Sequence, residues 1–381
     1  MAPVLAAAPD AAWVHDLSPW VFRFSGEFGI RWYGLAYVAG FIIAYVLFRW
    51  LAKRGATFVP ADRVLDAIMW GVFGVVIGGR LGYFLVYDQS LLGFTDSFPF
   101  WKVFALNQGG MASHGGIVGV ILAAWRISRG FKDEQGAVVG RCSPMHVMDV
   151  VAMLCPFGLF LGRIANFINA ELLGAIVAKP GEPGPWWSVR YPQEIMQFSP
   201  EQLAQTDAQW GQLQDLAYAQ LTPAERGQVI DAESAHSMIN LGYERLISAV
   251  QHDDGAITAQ MEQLISARAP SQLLQALAEG VILAAVLWFI AHRPRLPGVV
   301  GCWFMITYGV LRIATELVRL PDAELGRTLG LSRGQWLSTL MVLVGVGILV
   351  WIVRRGGTKV GGWLRPAQPV EASSPVPAPS D

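Results

Sequence analysis

Three arginines stand inside apolar runs of this 381-residue chain: Arg80 in Gly78-Gly-Arg-Leu-Gly-Tyr83, Arg163 in Gly162-Arg-Ile-Ala-Asn-Phe-Ile-Asn169, and Arg312 in Tyr308-Gly-Val-Leu-Arg312. A charged side chain at the centre of a bilayer costs roughly 2.5–3.5 kcal/mol on insertion scales, so it faces a partner, water or a ligand. Several guanidiniums near one membrane depth favour an anionic ligand, because their planar fork matches phosphate. Glu316, four residues beyond Arg312, offers the opposing reading of an intramembrane ion pair that only stabilises the bundle. Asp149 and Glu279 are further acids within apolar runs. Tyr308, Arg312, Thr315 and Arg319 share one face if the helix continues that far. Arg163 and Asn166 also share a face, with Asn169 and Glu171 just beyond; for the asparagines, capping of a helix end is the structural alternative. His114 is bracketed by glycines in Asn107-Gln-Gly-Gly-Met-Ala-Ser-His-Gly-Gly116. Most lone histidines are structural, but this one can exchange a proton near neutral pH at a place where the backbone approaches closely.

The elements that must carry these groups are membrane helices. With 53% hydrophobic and 15% charged residues, the chain is too apolar for an ordinary soluble protein. Seven apolar stretches approach the length needed to cross about 30 Å of hydrocarbon, near 32–51, 67–87, 112–130, 147–169, 272–291, 298–318 and 336–353. Gly115, Gly116 and Gly119 weaken the third as a helix. The expected fold is therefore an all-α integral membrane protein of seven transmembrane helices, with a mainly helical external head between the fourth and fifth. Its organisation reads as an external segment 1–31, helices 1–4 over 32–170, the head over 171–270, helices 5–7 over 271–353 and a disordered tail over 354–381. The connections at 49–66, 126–145, 291–297 and 354–365 carry 14 Lys and Arg, against 11 in the much longer alternate set. That bias places the N-terminus and the head outside, in the periplasm, and the C-terminus in the cytoplasm. No basic leader precedes an apolar core before Phe24, so the first span is expected to direct insertion. The head holds 13 acidic and 5 basic residues. A net charge of -1 for the whole chain argues against nucleic acid. Cys142, Cys155 and Cys302 have neither disulfide nor zinc spacing.

The ordered set of motifs resembles the prolipoprotein diacylglyceryl transferase family. It comprises Trp32-Tyr33-Gly34, the three arginine motifs above, Gly109-Gly-Met-Ala-Ser-His-Gly-Gly116 and Pro270-Ser-Gln272. Beyond Arg312 it continues through Glu316, Arg319, Pro321-Asp322, Leu325-Gly326 and Leu331-Ser-Arg-Gly-Gln335. The resemblance implies an enzyme of the bacterial inner membrane, with a site open to the outer leaflet. There the thiol of a lipobox cysteine in a prolipoprotein signal peptide attacks the glycerol carbon that bears the phosphate of phosphatidylglycerol. It implies functional positions at Tyr33, His114, Arg163, Asn166, Gly174, Tyr308, Arg312 and Glu316, with Arg80, Asn169 and Glu171 as further lipid contacts. Under this reading His114 takes the thiol proton, Arg163 and Arg312 grip the phosphate, and Tyr308 and Glu316 orient Arg312. No metal or cofactor is expected, since neither a carboxylate-rich magnesium set nor a nucleotide loop is present.

Three features depart from the family's pattern. Ala269-Pro-Ser-Gln-Leu-Leu274-Gln275 stands where the family reads His-Pro-Ser-Gln-Leu-Tyr-Glu, Ala170 and Leu173 replace a glycine and a tryptophan, and the head is long. Two alternatives stay open on the residues: a divergent relative that binds lipid or envelope proteins without catalysis, and an anion or lipid transporter with the arginines along its pathway.

Overall fold

The computed structural model describes residues 11–25, 28–88, 93–94, 100–101, 110–228, 231–319 and 331–364. The motifs Pro321-Asp322 and Leu325-Gly326, and the expected tail from 365 onward, lie outside these residues. The chain divides into two compact units: residues 1–37, 159–278 and 311–336 form the first, and 38–158, 279–310 and 337–381 the second.

In chain order the elements are β1 (Trp13–Val14), β2 (Trp20–Ser25), β3 (Phe28–Arg31), α1 (Trp32–Lys53), α2 (Val64–Val86) and α3 (Ser113–Ser128). They continue with β4 (Phe131–Lys132), β5 (Val138–Val139), α4 (Pro144–Ile168), β6 (Ile176–Ala178) and β7 (Val189–Arg190). Next come α5 (Asp207–Ala219), α6 (Pro223–Arg226), α7 (Ala232–Gln251), α8 (Gly255–Leu264) and β8 (Ala267–Arg268). The last are α9 (Ser271–Gln275), a π-helical stretch (Ala276–Ile282), α10 (Leu283–Ile290), α11 (Val299–Thr315) and α12 (Arg333–Arg355).

Five helical stretches are long and apolar enough to cross a membrane: Trp32–Lys53, Val64–Val86, Pro144–Ile168, Ser271–Ile290 and Gly334–Arg355. They coincide with five of the seven expected spans. His114–Ser128 and Val299–Thr315 are apolar but shorter. α11 stops at Thr315 rather than continuing to 318, so Arg319 does not extend its helical face. Instead Arg319 forms an isolated antiparallel bridge with Gly174.

In the first unit, the segment expected as a mainly helical head also carries short strands. A small sheet in the order β1-β7-β8-β6 joins the N-terminal segment, through a parallel β1–β7 pair, to strands on both sides of the helical insertion. Helices α5, α7 and α8 bury Leu213, Ala217, Tyr243, Leu246, Val250 and Met261 in one core. At the starts of α5, α6 and α7, Thr206, Thr222 and Asp231 each complete a capping box, which satisfies N–H groups that a helix start leaves open. Glu225 of α6 also receives both terminal nitrogens of Arg245 on α7, at 2.7 and 2.8 Å. These bonds hold the Glu225 carboxyl down at about 2. The fully buried Arg268–Glu194 ion pair, supported by Ser266 N–H to Glu194 Oε1 at 3.0 Å, ties β8 to the loop after β7.

In the second unit, α2 and α3 pack backbone to backbone along glycines. A Cβ on Gly115 would lie 2.1 Å from the Gly78 carbonyl oxygen, and one on Gly119 would lie 1.8 Å from that of Gly74. Small residues spaced by four are what lets two membrane helices approach this closely. The same glycines that weaken α3 in isolation therefore fix its place. Residues 356–364, read from the sequence as the start of a tail, are held by hydrogen bonds: Arg295 and Val360 pair through their backbones, and Trp363 Nε1 donates to the Trp288 carbonyl at 2.8 Å.

Candidate active site

The end of α4 builds the most connected polar group of the first unit. Ala170 N–H bonds to the Phe167 carbonyl at 3.0 Å and Glu171 N–H to the Asn166 carbonyl at 2.9 Å. This is the pattern of a Schellman helix end, whose turning residue takes a left-handed conformation. Ala170 does so, with φ of 52° and no exposed surface. A glycine fits that conformation without strain, so the family's glycine at this position has a geometric reason, and the alanine here adopts the same turn.

The turn folds the Glu171 side chain back onto the helix it has just left. Asn166 Nδ2 donates to Glu171 Oε2 at 3.0 Å, Tyr33 hydroxyl donates to the same oxygen at 3.2 Å, and Asn169 Nδ2 reaches Oε1 at 3.4 Å. Asn166 Nδ2 also makes a short hydrogen bond to the Tyr33 hydroxyl oxygen. Tyr33, Asn166, Asn169 and Glu171 are thus one network. Asn166 is buried, which excludes simple solvent-side capping as its role. Arg163, half-buried one turn before Asn166, acts electrostatically on the Tyr33 hydroxyl.

Two residues not singled out by chemistry in the sequence hold this turn from the other side. Gln272 Nε2 donates to the Glu171 carbonyl at 2.6 Å and Ser271 Oγ to the Leu172 carbonyl at 2.8 Å. Their signal was the retained Pro270-Ser-Gln272 motif. Gly174 admits no side chain, since a Cβ there would lie 2.1 Å from the Ala269 carbonyl oxygen and 3.1 Å from that of Val318. Of the departures, Ala269 lies in this close backbone contact, Leu274 is 40% exposed, and the Gln275 amide is buried without a hydrogen-bond partner among the described residues.

Across the Gly174–Arg319 bridge lies the second polar group of the same unit. Arg312 approaches Glu316 at 3.2 Å, the ion pair that the i,i+4 spacing allowed, and Arg319 approaches the same carboxylate at 3.8 Å. Ser332 Oγ donates to Glu316 Oε1 at 3.2 Å. All three ionic side chains are at most 15% exposed. Two guanidiniums thus converge on one carboxylate in a poorly solvated place, where such contacts are stronger than at the surface.

The remaining expected residues belong to the second unit. Arg80 is buried and donates to the Gly110 carbonyl at 3.0 Å, while Ala112 N–H donates to the Gly79 carbonyl at 2.9 Å. Both bonds fasten the approach to α3, on whose first turn His114 sits exposed. Tyr308 stacks on Phe304, with ring centroids 5.6 Å apart. Among the described residues no cluster of three or more His, Cys, Asp or Glu has metal-binding geometry.

The family model described as prolipoprotein diacylglyceryl transferase matches residues 19–351. A phosphatidylglycerol--prolipoprotein diacylglyceryl transferase of Bdellovibrio bacteriovorus is 37% identical over 359 residues, covering 92% of this chain and 97% of that protein. Proteins of the same name from Burkholderia mallei and Burkholderia pseudomallei are 35% identical over 341 residues, covering 87% of this chain and 94% of theirs. The motifs that frame the Glu171 turn and the Arg312–Glu316 pair lie within the matched range, and the chain belongs to the prolipoprotein diacylglyceryl transferase family.

Proposed function

We propose that this chain transfers the diacylglyceryl group of phosphatidylglycerol to the lipobox cysteine of prolipoproteins, the first step of lipoprotein maturation in the bacterial inner membrane. The observation that carries the reading is the convergence of Arg312 and Arg319 on Glu316, joined by backbone to the turn that fixes Tyr33, Asn166 and Glu171.

In the reaction the cysteine sulfur attacks the glycerol carbon next to the phosphate. A C–S bond forms, the C–O bond to phosphate breaks, and the oxygen keeps the electron pair as glycerol phosphate departs. Charge grows on the leaving phosphate, and pre-placed guanidiniums stabilise it without having to reorganise. Arg312 takes this role with Glu316 holding it in place, and Arg163 is the second phosphate donor. Glu171 anchors Tyr33, Asn166 and Asn169, which contact the headgroup. Free cysteine, with a pKa near 8.5, is only a few per cent thiolate at neutral pH, so a proton acceptor helps. His114 is assigned that role, and Arg80 keeps its helix start in position.

The topology that accompanies this reading has seven spans, with α3 and α11 as the two short ones, the head and N-terminus in the periplasm and the C-terminus in the cytoplasm. The Lys and Arg bias of the connections supports it.

The test is to incubate purified protein with phosphatidylglycerol labelled in its acyl chains and a lipobox peptide, beside the same peptide with its cysteine replaced by serine. Label transfer that requires the cysteine is expected. Binding without transfer, or transport of the lipid without transfer, overturns the assignment.

A further inference from the structure

The helix end that carries Asn166 and Glu171 is held by groups with no assigned part in the transfer reaction, and one of them is a histidine of the N-terminal segment. Just beyond the parallel β1–β7 pair, His15 N–H donates to the Arg190 carbonyl at 2.8 Å, which brings its side chain to the last turn of α4. The ring has no exposed surface. Trp13, Phe167 and Tyr191 surround it, with ring centroids 5.4, 5.5 and 5.2 Å away, so packing fixes its orientation.

The two ring nitrogens have different partners. A carbonyl oxygen only accepts, so Nε2, 2.9 Å from that of Phe167, carries the proton. Nδ1 lies 3.2 Å from the side-chain nitrogen of Gln193 and accepts from it. Burial holds the ring's pKa below its usual value, against the Phe167 bond and Asp16, which raise it. Near neutral pH the ring is therefore uncharged, and only the tautomer protonated on Nε2 satisfies both partners. Gln193 Oε1 is left buried without a hydrogen-bond partner among the described residues: its amide is turned toward the ring at its own oxygen's expense.

The Phe167 carbonyl belongs to the turn that the site depends on. It receives the Ala170 N–H at 3.0 Å, which closes the left-handed turn, and His15 fills its second lone pair. Ala170 holds a conformation that alanine disfavours, so the turn relies on bonds from outside it. Gln197 Nε2, which donates to the Ala170 carbonyl at 3.1 Å, and Gln272 fasten the residues after the helix. His15 fastens the helix itself, one residue from Asn166.

We infer that His15 is a positioning residue for the transfer reaction: its Nε2–H fixes the Phe167 carbonyl and with it the turn that sets Asn166 and Glu171 against Tyr33. The inference rests on the headgroup role proposed above for that network.

Two substitutions separate the hydrogen bond from the packing. His15→Phe keeps an aromatic ring and loses the donor; His15→Gln loses the ring but keeps an N–H near the place of Nε2 and an oxygen that can accept from Gln193. The full chain is assayed in nanodiscs with acyl-labelled phosphatidylglycerol and a lipobox peptide. In His15→Phe, kcat/KM is expected to fall about tenfold, the cost of a small misplacement in a reacting site. In His15→Gln it should stay within about threefold of the wild type, although this variant, without the aromatic contacts, unfolds at the lower temperature. Hydrogen–deuterium exchange reads the turn without any activity: the amides of residues 166–172 should exchange about tenfold faster in His15→Phe and near the wild-type rate in His15→Gln. If His15→Phe fails to fold, His15→Leu takes its place. Normal turnover by the variant without the donor overturns the inference, whatever its exchange rates. So do losses of transfer that follow the unfolding temperatures of the two variants. An inactive wild-type chain would instead refute the transfer reading and take the positioning role with it, while the exchange rates would still show whether His15 holds the turn.

Discussion

The turn after α4 and the seam between α2 and α3 hold expected functional residues by opposite means. At the turn, side chains are wired to one another: both oxygens of Glu171 are engaged, and its backbone is bonded to Asn166 and Gln272. At the seam, side chains are absent where it matters, and carbonyl oxygens lie where a methyl group would otherwise be. The first design fixes the orientation of polar groups. The second fixes the position of a helix and leaves His114, on its first turn, exposed to meet a proton. A wired cluster fails when a partner is lost; a close-packed seam fails when an atom is added.

Substitutions can press on each side of that contrast. The largest effect is expected where charge is removed: Arg312→Ala and Arg163→Ala should each lower cysteine-dependent transfer by about 10²–10³-fold with the protein still inserted, the range for losing a donor aimed at developing charge. Near-normal turnover by either would remove the phosphate-gripping role. Adding an atom to the seam comes next. Gly115→Ala is expected to cost roughly 1–3 kcal/mol, the usual range for overpacking, and to appear as a lower unfolding temperature in detergent and a loss of transfer. An unchanged melt would show that the two helices separate freely. His114→Gln tests the same seam without touching its packing: the melt should not move while transfer falls by about 10²-fold, the lower end of the span of general base catalysis.

Stabilising the wired turn is a finer test. Ala170→Gly removes a left-handed alanine, worth about 1–2 kcal/mol, and gives back part of it as glycine's greater chain entropy; a net gain near 1 kcal/mol is expected in thermal unfolding. A loss of stability would mean that the buried methyl group packs too well to remove. The smallest effect belongs to the head. Glu225 has a folded pKa of about 2 against an ordinary value of 4.5, so its bond to Arg245 contributes stability above 4.5 that disappears as pH falls toward 2. The head should therefore melt earlier in that window, and Glu225→Gln should flatten the dependence.

Most of the helical frame could be read from apolar length alone, and five stretches lie where the sequence put them because a run of some twenty apolar residues has few other ways to satisfy its backbone. Arg312 and Glu316 were legible as a pair because their spacing of four closes on a helix. Arg319 was not, because the helix ends at Thr315 and a pattern of residue types does not announce where a chain leaves its axis. Glu171 illustrates the same boundary. Its place beside Asn166 was visible, but its return onto Asn166 and Tyr33 depends on a left-handed residue that is written here as alanine. The sheet of the head escaped for another reason: its strands are two or three residues long and pair across a helical insertion, too short for alternation to register.

The π-helical stretch from Ala276 to Ile282 carries a lesson about insertions and deletions. Such a turn holds one residue more than a regular helix needs, so deleting one residue there would let it close to a regular turn and leave the residues downstream facing as they do, whereas the same deletion in a regular helix would swing them by about 100° around the axis. Trp288, whose indole donates to the Met153 carbonyl at 3.0 Å, would keep that partner. Within this stretch a single-codon loss would therefore be absorbed, while one a few residues further on would re-aim a whole helical face although the apolar content of the span would scarcely change.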